Sequence, residues 1–206
     1  MENTLVGLTI SLIIVLVVAV RFVTAEHRPG ATPLTGRVLA AKAVVIGAVA
    51  FLTGLVSAAV VVPVGTKILR ANGIGVLPVS ALTGLRVVVG VAALLAVAAV
   101  FGLALGALLR RTWVAILVAI STVVLPYLLA AFPLLPDEVS KWLLRLTPAA
   151  GFAVEQTIRQ YPQVVAHYAP SEGYFPLAWW AGFAVLCGYT AIACGLALSR
   201  IRRRVA

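Results

Sequence analysis

Charge is what this sequence has least of. Only 11% of its 206 residues are Asp, Glu, Lys or Arg, and only 6 of them are acidic. A soluble domain carries about 25% charged residues. Beside 63% hydrophobic residues, so few charges cannot cover a water-facing surface. The same composition excludes an intrinsically disordered chain, which needs low hydrophobicity. Cysteine is scarce too. Cys187 and Cys194 lie seven residues apart in one apolar run, too far along a single helix to bridge. They read as small packing residues and say nothing about redox compartment.

Chemical motifs are missing as well. No stretch fits the G-x-x-x-x-G-K-[ST] phosphate cradle, so no ATPase of its own is legible. No His-Glu-x-x-His or Cys-x-x-Cys occurs. The two histidines, His27 and His167, fall on opposite sides of the expected membrane and supply no metal-ligand set. The four longer apolar runs contain no Asp, Glu, Lys, Arg or His. Ion-coupled carriers and intramembrane hydrolases need such groups. The carboxylates elsewhere, Asp137, Glu138, Glu155 and Glu172, are accounted for as helix-start or interface residues. No residue is expected to be catalytic, to ligate a metal or to hold a cofactor, and the chain is not expected to be an enzyme.

What is present is long apolar sequence. A helix needs about 20 apolar residues to cross the hydrocarbon core. Five spans are expected, at about 4–21, 43–65, 87–109, 112–133 and 175–198. Helices satisfy their own backbone in lipid, and these runs are too long and continuous for barrel strands. The fold class is therefore all-α, a polytopic helical membrane protein in a single transmembrane domain. The first run is the weakest. It reads as a span with its tail outside, because Arg21 follows it and no basic residue precedes it; a cleaved signal is the other reading.

The net charge of +10 orients the spans. With the N-terminus outside, the cytoplasmic parts hold Arg21, Arg28, Arg37, Lys42, Arg110, Arg111, Arg200, Arg202, Arg203 and Arg204 against the single acid Glu26. The outside parts hold six basic residues against five acids. Short basic loops face the cytoplasm, so the expected topology is N-out and C-in in the cell membrane. The tight Arg110-Arg111 junction makes spans three and four an antiparallel hairpin.

Local signals refine the spans. Gly102-Leu-Ala-Leu-Gly106 is a GxxxG pattern, and Gly195-Leu-Ala-Leu-Ser199 its looser relative. Such spacings serve close helix packing or a specific dimer contact. Pro126 should kink span four, and Pro63 should mark the outer end of span two. The extracytoplasmic region 134–173 is expected to be amphipathic. Val139, Trp142, Leu143 and Leu146 recur at helical spacing after Asp137 and Glu138, and Pro148 ends that piece. A second piece over 151–160, with a Glu155–Arg159 pair at i,i+4, is expected to rest at the same interface.

The most basic compact segment on the inner side is 22–42. It reads Thr24-Ala-Glu26-His27-Arg28-Pro-Gly30, then Thr32-Pro33-Leu-Thr-Gly36-Arg37-Val38-Leu39-Ala-Ala-Lys42. Together with Gly102-Leu-Ala-Leu-Gly106-Ala-Leu-Leu-Arg110-Arg111 and Trp142-Leu-Leu-Arg-Leu-Thr-Pro148-Ala-Ala-Gly151, in this order and topology, it resembles the ABC-2 type transporter permeases of actinobacterial type. The resemblance runs from about residue 20 to 204. It implies the membrane subunit of an ATP-driven exporter of unknown substrate. Its partners would be a cytoplasmic ABC ATPase, which binds the ATP and Mg, and a second permease subunit. The segment matching 22–42 would couple the ATPase to the spans, with Glu26, Arg28, Gly30, Arg37 and Lys42 at the interface. Helices at 137–160 would cap the outward end of the pathway. Two departures stand out: the family has six spans, the first of which is missing here, and the stretch between Gly30 and Pro33 is shortened. They leave open a second reading, a non-transporting membrane scaffold or regulatory protein of the same ancestry.

Overall fold

The computed structural model describes residues 7–25, 35–73, 80–132, 135–157 and 174–205. They form seven α-helices and one 3-10 helix, with no strand among the described residues. In chain order these are α1 (Gly7–Thr24), α2 (Gly36–Ala71), α3 (Ala81–Leu109), α4 (Thr112–Val123), α5 (Leu125–Ala131), α6 (Asp137–Leu146), the 3-10 segment (Pro148–Glu155) and α7 (Trp179–Val205). Five helical stretches are long and apolar enough to cross a membrane: α1, α2, α3, α4 with α5 as one unit, and α7. Large apolar side chains stay exposed along them, including Val44, Leu52, Val56, Leu117 and Ile192. Water would not tolerate so wide an apolar surface; lipid does.

The helix ends follow local chemistry. Thr35 caps α2, its side-chain oxygen accepting from the Val38 amide at 3.4 Å, and Ser80 caps α3, accepting from the Thr83 amide at 3.2 Å. Arg110 ends α3 in the left-handed region, at φ 58°. The chain reverses there, and Arg111 starts α4 directly, giving the tight hairpin.

The prolines divide. Pro126 interrupts span four, splitting it at Val124 into α4 and α5. Proline has no amide to donate and its ring crowds the carbonyl four residues back. Pro63 was expected to mark the outer end of span two; the helix itself continues through it to Ala71. Pro63 is exposed, and α2 continues through it although it has no amide to donate.

The central helix is α3. It is packed by α1, α2, α4, α7 and the 3-10 segment, whereas α2 packs chiefly on α3 alone. The GxxxG pattern explains one of these contacts. A Cβ on Gly102 would lie 3.2 Å from the Leu16 carbonyl oxygen, and one on Gly106 3.2 Å from that of Val20. Both glycines therefore face α1 of the same chain, and the packing reading holds over the dimer reading. Leu12, Leu16, Ala19, Val20 and Val23 of α1 have no exposed surface. Gly195 is different, because no described residue lies within 4 Å of a Cβ placed there.

The contact is directly testable. A Cβ on Gly102 would sit 3.5 Å from the Ala19 Cβ, within the range of about 3.5–4.5 Å that a disulfide spans. In a Cys187→Ser/Cys194→Ser background, Ala19→Cys with Gly102→Cys should bridge on mild oxidation. Both thiols should then resist a maleimide polymer that shifts the band on a gel. Persistent double labelling, with Gly102→Cys alone leaving the melting temperature unchanged, would refute the α1–α3 register.

Candidate functional site

One end of the bundle is basic. The C-termini of α1, α3 and α7 and the N-termini of α2 and α4 meet there, as the contacts of Gly106 with Val20 and of Gly36 with Leu198 require. Among the described residues this end carries Arg21, Arg37, Lys42, Arg110, Arg111, Arg200, Arg202 and Arg203 and no carboxylate. Two of these cations tie helices together. Lys42 Nζ donates to the Phe22 carbonyl at 3.0 Å and sits 4.3 Å from the centre of the Phe22 ring. Arg200 Nη1 donates to the Leu108 carbonyl at 2.9 Å. The last carbonyls of a helix have no partner within it and carry its negative dipole end, so a cation from a neighbour suits them.

Of the expected interface residues, Glu26, Arg28 and Gly30 lie outside the described residues. Arg37 is exposed on the first turn of α2 and open to a partner. Lys42 is half-buried, and its ammonium points at α1 rather than outward. Five residues apart on one helix, the two cations face different sides. Lys42 thus fastens the two helices that flank 26–34.

The opposite end holds an arrangement that sequence reasoning missed. Residues 151–160 were expected to form an amphipathic helix at the interface, with Glu155 paired to Arg159, which lies outside the described residues. Instead Pro148–Glu155 is a 3-10 segment inserted between α3 and α7, with all eight residues buried. Glu155 is only 5% exposed. Small residues make the insertion possible. A Cβ on Gly90 of α3 would collide with Val154, and one on Gly182 of α7 with the Ala150 carbonyl. A Cβ on Gly151 itself would lie 2.9 Å from both Leu94 and Leu186. The legible signal was the run Pro148-Ala-Ala-Gly-Phe-Ala-Val154, seven residues without a polar group. It is too short to span a bilayer and too apolar to lie in water.

Side chains from three elements gather around this segment. Phe152 stacks on Tyr127 of α5, ring centres 4.1 Å apart and 5° from parallel, and Phe175 lies 6.2 Å from the same ring. Arg86 of α3 reaches the segment's exit, where Nη2 donates to the Gln156 carbonyl at 2.5 Å. Its guanidinium carbon lies 5.4 Å from the centre of the Trp179 ring, at the start of α7. Arg86 Nε is buried and has no hydrogen-bond partner among the described residues. On the other side, Tyr189 of α7 donates to the Leu146 carbonyl at 2.6 Å, just before the segment begins. Next to it, α6 buries Ser140 and Leu144 against the protein and leaves Val139, Trp142 and Leu146 exposed. The apolar stripe read from the sequence is therefore mostly the outward one.

The described residues form an all-helical bundle of membrane-protein character, with five helices long and apolar enough to cross a membrane, one basic end and a buried 3-10 segment at the other. No family model, no curated protein and no solved structure matches the chain.

Proposed function

We propose that the chain is the transmembrane subunit of an ATP-driven exporter of the ABC-2 type, with ATP hydrolysis supplied by a separate cytoplasmic ATPase. In this reading the basic end faces the cytoplasm, as charge bias in short loops favours. The N-terminus is then outside and the C-terminus inside. Glu26, Arg28, Gly30 and Arg37 meet the ATPase, ATP and Mg stay on that partner, and a second permease subunit completes the pathway. The observation that carries the reading is the Lys42 contact with Phe22. It joins the end of α1 to the start of α2, so a push on the segment between them moves both helices together. Because α1 and α2 each pack on α3, such a push would reach the centre of the bundle.

The test starts from the neighbouring coding sequences: one with a G-x-x-x-x-G-K-[ST] motif supplies the ATPase for reconstitution, and an unrelated neighbourhood favours the scaffold reading. Co-purification and a rise in ATP hydrolysis in vesicles are expected. Arg28→Glu with Arg37→Glu should reduce that stimulation at least tenfold while the Ala19→Cys/Gly102→Cys bridge still forms. Binding and stimulation that survive both changes would refute the coupling assignment. A chain that binds no ATPase at all would fit the scaffold reading.

A further inference from the structure

We infer that the seam between α2 and α7 at the basic end is a binding site for an anionic phospholipid, whose phosphate is held by Arg37, Arg202 and Arg203. The inference goes beyond the exporter reading. It needs only that this end lie at a membrane surface, and it holds for a scaffold equally. The seam starts where the two helices touch. A Cβ on Gly36 would lie 3.3 Å from Leu198 Cδ2. Leu39 and Ala197 belong to one apolar cluster there, with Leu198 and Ile201 packed against it.

Helix geometry puts the arginines on the lipid side of that contact. On α2, Gly36 points at α7 and Lys42 at α1. Arg37 lies about 100° round the helix from Gly36, on the side away from Lys42. It stands on the outer flank of α2, beside α7, with Ala40, Ala41 and Val44 exposed on the same flank. On α7, Arg202 lies one turn beyond Leu198, and Arg203 one turn beyond the exposed Ser199. All three arginines are exposed, and no carboxylate lies at this end among the described residues. Lys42 and Arg200 differ from them, because each gives a donor to a helix carbonyl. Arg200 is also about 200° round α7 from Leu198 and reaches the end of α3, so the Arg110-Arg111 hairpin lies off the seam.

Below the arginines the seam is open and apolar. Gly195 lies about 60° round α7 from Leu198, yet no described residue lies within 4 Å of a Cβ on Gly195 or on Gly188. The helix α2 therefore does not close over this side of α7. The two positions are about 10 and 21 Å from Arg202 along the helix, at about 1.5 Å per residue. One leaflet supplies about 15 Å of hydrocarbon. Val44 on one wall and Ile192 on the other stay exposed to it. An acyl chain in the seam would run past Gly195 while its phosphate stays level with the arginines. A guanidinium suits that phosphate, because it is always charged and offers parallel N–H donors to two oxygens. Basic pockets between helices at a membrane surface take anionic headgroups on these grounds. A zwitterionic headgroup brings a cation of its own, which three unopposed arginines repel, so the site selects net negative lipids.

The test separates headgroup, acyl chain and site on the full chain purified in detergent. Native mass spectrometry counts the lipid bound as phosphatidylglycerol or phosphatidylcholine with the same acyl chains is added. Phosphatidylglycerol should bind about tenfold more tightly, and equal binding would overturn the inference. Glycerol 3-phosphate, which has the charge without the chains, should not displace it at equal concentration. Displacement would overturn the lipid assignment in favour of a soluble phosphate. Arg202→Gln with Arg203→Gln should weaken phosphatidylglycerol about fivefold. Arg110→Gln with Arg111→Gln removes the same charge from the same end, off the seam, and should leave the affinity within about twofold. Equal losses from the two pairs would mark a diffuse attraction and overturn the site. Gly195→Leu fills the apolar wall and should weaken binding about threefold; an unchanged affinity would overturn the seat of the chain. If the Arg202→Gln/Arg203→Gln variant is not recovered from membranes, Arg37→Gln carries the same test. It should weaken binding about threefold, and an unchanged affinity would overturn the site equally. None of these readouts involves an ATPase, so the exporter reading stands or falls separately.

Discussion

Gly182→Leu should be among the most damaging single substitutions in this protein. A Cβ at that position would run into the Ala150 carbonyl and lie 2.8 Å from the Ala153 Cβ. The obstacle is backbone, not the flexible end of a side chain, so neither α7 nor the 3-10 segment yields cheaply. Overpacking a close contact costs about 1–3 kcal/mol, and a clash with backbone lies at or above the upper value. The segment would be forced off α7, taking Phe152 from its stack on Tyr127. A fall of many degrees in the unfolding temperature in detergent is expected, with faster maleimide labelling of an Ala153→Cys thiol in a Cys187→Ser/Cys194→Ser background. Unchanged stability would mean that the 3-10 segment does not pack on Gly182.

The second large effect belongs to Gly106→Leu. Here a Cβ would lie 2.6 Å from Val23 Cγ1 and 3.2 Å from the Val20 carbonyl oxygen. Val23 can turn, but the carbonyl cannot, so α1 must move away from α3. A loss of about 2 kcal/mol is expected from overpacking of this kind. Failure of the Ala19→Cys/Gly102→Cys bridge should accompany it. The matched comparison is Gly195→Leu, where no described residue lies within 4 Å of the new Cβ. That variant should leave both the melting temperature and the bridge unchanged. Similar damage at both sites would show that the loss follows from glycine replacement in a membrane helix, not from the α1–α3 contact.

The contrast between these two glycines shows where sequence reading stops. Gly102-x-x-x-Gly106 and Gly195-x-x-x-Ser199 look alike as strings, and small residues are frequent throughout the spans. Only the arrangement of helices decides that the first pattern meets α1 while Gly195 faces none of the other described residues. Pro126 and Pro63 form a similar pair. Each removes one helix hydrogen bond, yet the chain breaks at Val124 and continues through Pro63 to Ala71. The proline alone does not encode which of the two outcomes follows.

The candidate sites divide the same way. A basic cluster at one end was legible, because arginine and lysine in short loops need no partner to be counted. That Lys42 turns inward to a carbonyl while Arg37 faces out was not, since helical spacing separates faces without saying which one meets α1. Glu155 and Arg86 were missed for a related reason. Glu155 has a surface reading in any helix of ordinary period, and Arg86 sits just outside the expected third span, among loop charges.

By itself, then, the sequence determined the scarcity of charge, the five long apolar helices, the hairpin at Arg110-Arg111 and the basic character of one end. These are local or compositional properties: the length of an apolar run, the cost of charge in lipid, and the caps that start and stop helices. The tertiary structure alone decided that α3 is central and that residues 148–155 re-enter the bundle. It alone placed Arg86, Lys42 and Arg200 on carbonyls of other elements. Those contacts join residues 20 to 92 positions apart, and their existence depends on which helices become neighbours rather than on any short stretch of sequence.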